Sequence, residues 1–324
     1  MLDPQPEPKR LRMDRRDALL SLLAAGAAAP ALARTAPPAA GGWPDLATPE
    51  GNMLAYARIV GSTDPSVTRY GWYEGRVMAL MPGRAVVDLL GVRGLGASRV
   101  VPHPSGTGFM NLRREVGYFF DLATGRTVDR WRNPLNDETV EVVHIANDPV
   151  NAPIEPTLPR RTYYRDNSLE RSAPQPFVLP WREAGGHLFT ERHVHLWAAN
   201  PLDPKVWVRE SSGPMIQVTE YTQYAVPAAI LRDRGADRVP YTGSWTRLAP
   251  WQPWMLMGQA PGGTFYVAHT GSAERIEDLP AGLADEVAKR HPRFLEAPTR
   301  IEPSVPGLVR YMRDHKPAPP KEAR

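Results

Sequence analysis

The sequence contains no cysteine, which removes disulfide frameworks, thiolate nucleophiles and thiolate-ligated metals from consideration. It also lacks a phosphate-binding loop, a His-Glu-x-x-His pair and a Gly-x-Ser-x-Gly elbow, so nothing in it points to a P-loop ATPase, a zincin protease or a common esterase. No sign of charge dominates: 39 Lys and Arg against 35 Asp and Glu leave a net +4. The basic residues are scattered, without an aromatic-interleaved stripe, so no nucleic-acid partner is expected. Beyond residue 33 no apolar run approaches the ~20 residues that span a bilayer, and no integral membrane segment is expected in the mature chain. Proline, by contrast, is abundant, with 36 residues beside 26 glycines and 9 tryptophans. Each interior proline costs a helix about 3 kcal/mol, so the composition favours short strands and rigid turns over long helices.

Residues 14–33 carry a twin arginine (Arg15, Arg16), an uncharged run from Ala18 to Ala29 and a small-x-small ending at Ala31-Leu32-Ala33. This pattern predicts a twin-arginine export signal over residues 1–33 and a periplasmic or secreted protein. Its removal takes away five basic and four acidic residues and leaves +3. Residues 34–47, rich in small residues and proline, read as a flexible linker. The spacing then predicts a single β-rich domain over 48–315 and a disordered tail over 316–324.

Thr48-Pro49-Glu50 is a helix start, with threonine as cap and proline in the first turn, and Met53, Leu54, Ala57 and Val60 follow along one face. From Tyr70 the period becomes two, predicting strands over 70–81, 84–91, 114–121, 126–132 and 138–146. Three of these read as a meander turning at Ala123-Thr124-Gly125 and at Asn133 to Asp137. Residues 148–185 read as a long surface excursion, and strands resume over 187–198, 204–210, 215–224, 241–248 and 263–270. Short helices are expected over 280–290 and 307–315. Gly91-Val92-Arg93-Gly94-Leu95-Gly96 has the wrong glycine spacing for a dinucleotide loop and reads as a turn. Strand following strand predicts a mainly β fold, an antiparallel β-barrel of lipocalin or calycin type with a few peripheral helices. A two-sheet β-sandwich is the alternative.

The richest segment chemically is Phe189 to Trp197. On a strand, Glu191, His193, His195 and Trp197 share one face while Leu188, Val194 and Leu196 take the other. Two histidines at i, i+2 can hold one divalent metal, or the same groups can serve as acid and base without it. The plain alternative is a solvent-facing polar strand. His144 and His269 are further candidates for inward groups. Glu191 is the candidate base, His193 and His195 are the candidate metal ligands or proton shuttles, and His144 is a third inward group of the catalytic set. Trp245 and Trp254, with Trp251 and Tyr241 nearby, could line an apolar cavity or close a core. Trp72, Glu74 and Arg76 alternate on one strand and could orient a ligand or anchor the sheet.

Trp131-Arg132-Asn133-Pro134, the run Val140 to Asn151, Gly243-Ser244-Trp245-Thr246-Arg247 and Pro253-Trp254-Met255-Leu256-Met257-Gly258-Gln259 resemble the family called domain of unknown function 1838. The resemblance spans about Thr48 to Leu295. Many bacterial members of that family look twin-arginine-exported, and the resemblance implies a single exported domain without implying an activity. The residues themselves predict a protein that binds an apolar or aromatic small molecule, as a lyase, isomerase or hydrolase working through His and Glu. A lipocalin-like carrier without chemistry, or a structural envelope protein, are the alternatives.

Overall fold

The computed structural model describes residues 44–159, 162–165 and 168–321. The export-signal reading of residues 1–33, most of the linker and the last three residues of the tail lie outside them.

In chain order the elements are α1 (Pro49–Val60), β1 (Arg69–Leu80), β2 (Val87–Pro102), β3 (Phe109–Phe120), β4 (Arg130–Asn133), β5 (Glu138–Glu141), β6 (Ile145–Ile154), β7 (Thr162–Arg165), β8 (Ser168–Arg171) and β9 (Arg182–Ala184). There follow β10 (His187–Ala199), β11 (Met215–Pro227), α2 (Ala228–Leu231), β12 (Thr242–Ala249), β13 (Gly263–Ala273), α3 (Leu283–Arg290) and α4 (Gly307–Asp314). One nine-stranded sheet runs in the order β6-β3-β2-β1-β13-β12-β11-β10-β9. It is antiparallel and curled into a half-barrel, with β6 and β9 as its edges. The β4–β5 and β7–β8 hairpins stand apart as two-stranded sheets.

Most departures from the sequence expectations have a local cause. The glycine run 91–96 is the middle of β2 and not a turn, because neighbouring side chains occupy the space that side chains there would need. Residues 204–210 are not a strand: Pro204 follows Asp203, whose carbonyl accepts from the Val206 and Trp207 amides at 2.9 and 2.8 Å and whose carboxylate accepts from the Lys205 amide. That turn buries Trp207 instead. The expected strand over 126–132 shortens to β4, joined to β3 only by the Phe120–Thr127 bridge. The strand expected over 138–146 divides into β5 and β6, and the excursion expected over 148–185 contains most of β6 and all of β7 to β9. The tail residues 318–321 are pinned, with the Ala318 amide donating to Glu210, Arg209 to the Pro319 carbonyl, and Lys321 paired with Glu138.

Side chains opposite one another in an antiparallel pair share a face, so the register assigns every position. One face carries Tyr73, Val77, Val92, Phe119, Tyr266, Trp245 and Tyr224. α1 packs on this face at both flanks of the sheet. Met53, Leu54 and Ala57 meet Val100, Phe109 and Ile154, while Ala55 and Ile59 meet Leu188, Tyr224 and Val226. One helix can touch strands so far apart in the sheet order only if that face is concave. The start of α1 is fixed as expected, Thr48 Oγ1 accepting from the Gly51 amide at 3.1 Å. At the other end of the concavity Val140 and Val142 of the β5 region, with Trp251, Trp254 and Met255, complete the core. The convex face of β1 to β3 is covered by Leu283 and Val287 of α3 with Phe294.

Candidate functional site

Between the two plugged ends, the concave wall is built on glycine. Gly94 lies under the Tyr73 ring: a Cβ there would come within 2.5 Å of the Tyr73 hydroxyl and would also overlap the Val116 carbonyl. Gly96 plays the same part under the Arg113 guanidinium, which lies flat against it. Bare backbone therefore lets two large polar side chains lie along the wall rather than stand out from it.

Above this floor the rings form two groups. Trp245 sits 5.5 Å from Tyr73 and 5.6 Å from Tyr266, while Tyr224 and Tyr241 pack edge to face at 5.1 Å. Burial pushes the phenols of Tyr73 and Tyr224 well above their ordinary value, and those of Tyr241 and Tyr266 upward. All four remain protonated donors near neutral pH. The Tyr73 hydroxyl is buried and has no hydrogen-bond partner among the described residues.

Two ion pairs face the same space. Arg113 Nη2 lies 3.3 Å from Glu115 Oε1, and Arg247 Nη1 lies 2.8 Å from Glu220 Oε1. Asn147, opposite Glu115 on β6, donates to its other oxygen at 3.1 Å. Burial pulls Arg113 down, but the Glu115 carboxylate and the nearby tyrosines outweigh it and leave it raised. The Arg113 side chain keeps 34% of its surface accessible, and Glu115 keeps 24%. Accessible side chains on the inside of a curled sheet line a chamber. The Tyr73–Trp245 contact joins β1 to β12, two places away in the sheet order, so the rings follow the curl.

Of the residues singled out by sequence, Trp245 and Tyr241 face this chamber directly. Trp254 is buried at its end, against Phe119 and Trp131. Glu191, His193, His195 and Trp197 share a face as expected, but the register puts that face outward. There Glu191 accepts from the Tyr221 hydroxyl, His193 Nε2 stands 3.4 Å from Glu191 and stacks on Tyr221 at 4.1 Å, and His195 Nδ1 is 2.8 Å from Thr219 Oγ1. Glu191, Arg192 and His193 line a crevice of about 270 Å³ against residues 158–159, 172–173, 175 and 178–180, a little under the ~300 Å³ at which small-molecule pockets begin.

Trp72, Glu74 and Arg76 also point outward. Trp72 lies on Gly271 and Arg76 pairs with Asp88 at the surface. His269 is exposed beside Glu74. His144 is elsewhere again. Its Nδ1 accepts from the Phe119 amide at 3.2 Å, which puts the ring proton on Nε2, 3.2 Å from Asp129 Oδ1. Burial holds this imidazole below its ordinary value, with Asp129 acting in the opposite direction. Nδ1 thus ties the β5–β6 connection to β3, and Nε2 ties it to the segment before β4. The histidines do not converge, and among the described residues no group of three or more His, Asp or Glu could hold a metal ion.

Tyr73, Arg113, Glu115, Glu220 and Arg247 were missed by sequence reading. The available signal was parity: Tyr73 shares its face with the apolar Val77 and Ala79, and Arg247 shares one with Trp245. No helix among the described residues is long and apolar enough to cross a membrane. Among curated proteins none matches the chain. A family model described as protein of unknown function (DUF1838) matches residues 67–313, the span that holds the whole sheet and the chamber, and the chain belongs to that family.

Proposed function

We propose that the concave face of the half-barrel binds an apolar or aromatic small molecule, in the manner of a lipocalin-like cup. The observation that carries this reading is the accessible concave wall in which Tyr73, Trp245 and Tyr266 stand beside two partly exposed ion pairs. Aromatic rings supply apolar area, and a few fixed polar groups set orientation. As a carrier the protein needs nothing more. As a lyase, isomerase or hydrolase it would use Glu115 or Glu220 as the base, since the histidines stand outside the chamber. The twin arginine and the small-x-small ending support export of the chain.

Binding is tested with a neutral fluorescent probe, N-phenyl-1-naphthylamine. Saturable one-to-one binding is expected, weakened about tenfold by Trp245→Ala, the scale of losing one well-packed aromatic contact, and unchanged by His193→Asn. The reverse pattern would move the site to the outward crevice of β10, and an absence of binding would remove the proposal.

A further inference from the structure

The register fixes which charged side chains share the concave face. Arg69 on β1, Arg113 on β3, Arg192 on β10 and Arg247 on β12 are at inward positions, against Glu115 on β3, Glu183 on β9 and Glu220 on β11. Glu183 is neutralised by Arg232, so four arginines face the two remaining glutamates and two positive charges are left over on this face. These charges are not satisfied internally. Arg113 gives one of its donors to Glu115, at 3.3 Å, and the guanidinium has five. Arg247 gives Nη1 to Glu220 while its Nε is buried without a partner. Arg69, almost fully buried, donates through Nη2 to the Val239 carbonyl and Ser272, and its Nε and Nη1 find no partner among the described residues. Arg192 lies over the rings of Tyr56 and Phe177 at 4.8 and 5.1 Å. Buried donors left without acceptors are costly, and a planar fork of donors matches a carboxylate in two-point contact.

We propose that the chamber's ligand is an aromatic carboxylate, its ring against Tyr73 and Trp245 and its carboxylate received by Arg113. This rests on the chamber reading above and adds the charge of the ligand to it. Arg113 is assigned the carboxylate because it keeps unused donors, is a third exposed, and is held flat on Gly96 beside the Tyr73 ring. Glu115 is then a competitor, since it occupies one Arg113 donor and repels an incoming anion. Asn147 holds that carboxylate in place from the opposite side.

The test is calorimetric titration of the full chain with 2-naphthoate and with its neutral counterpart 2-naphthamide. Naphthoate is expected to bind at least tenfold more tightly. Arg113→Gln should remove that preference while leaving the amide's affinity unchanged. Glu115→Gln should act in the opposite direction and tighten naphthoate severalfold, a gain that loss of structure cannot produce, so the proposal stays testable even where Arg113→Gln fails to fold. Binding of both compounds with equal affinity in the parent, or a Glu115→Gln variant that binds naphthoate no better than the parent, overturns the anion proposal and leaves the chamber reading standing. Binding of neither compound overturns both.

Discussion

Gly94→Ala should destabilise the protein by about 3 kcal/mol, the upper range for forcing one extra methyl into a packed interior. The new Cβ would overlap the Val116 carbonyl, which is strand backbone and cannot move without breaking the β2–β3 ladder, and would fall 2.5 Å from the Tyr73 hydroxyl. Relief requires Tyr73 to lift off the wall. That displaces it from Trp245, so probe binding in the chamber should weaken along with stability. Gly235→Ala is the control: its nearest neighbour is 3.4 Å away, the end of the Asp233 side chain, and its effect should stay within about 0.5 kcal/mol. Urea denaturation of the two variants checks both values. Equal, small effects would mean that β2 does not pass under Tyr73.

Asn52→Ala should cost about 4 kcal/mol, since it deletes a fully satisfied buried amide and strands its partners at 1–3 kcal/mol for each group left unpaired. Asn52 is completely buried. Its Nδ2 donates to the Leu46 and Thr48 carbonyls at 2.9 and 2.7 Å, and its Oδ1 accepts from the Leu179 amide at 2.9 Å and the Trp181 indole at 2.7 Å. One side chain thus ties α1, the turn before it and the segment leading into β9. At 2–4 °C per kcal/mol for a domain of this size class, a fall in melting temperature of roughly 10 °C is expected. Asn52→Asp should be nearly as damaging, because a carboxylate accepts but cannot donate to the two carbonyls. A thermal shift of only a degree or two for either variant would show that α1 is held by its apolar face alone.

The strands with strong two-residue alternation, β1, β10, β11, β12 and β13, were legible in the sequence, as was the start of α1 from Thr48 and Pro49. Alternation separates two faces but does not say which one turns inward. On β10 the titratable side chains share one face, yet it is Leu188 on the other that meets α1, because Leu188 is buried there while His193 stands exposed on the outside. The same inversion applies on β1, where Trp72, Glu74 and Arg76 drew attention and Tyr73 lines the chamber. β2 was illegible for a different reason. Its glycines make room for residues distant in sequence, and nothing within 91–96 announces that Tyr73 and Arg113 will lie on them. The ion pairs were hidden likewise, since Glu220 and Arg247 meet only through the β11–β12 register.

The location of the ligand tests the account most directly. Crystals soaked with 6-bromo-2-naphthoate should show one anomalous bromine peak within the concave face, beside Tyr73 and Trp245, with the carboxylate density at Arg113. A bromine peak in the crevice between Glu191, His193 and the 172–180 segment, with the concave face unchanged, would contradict it.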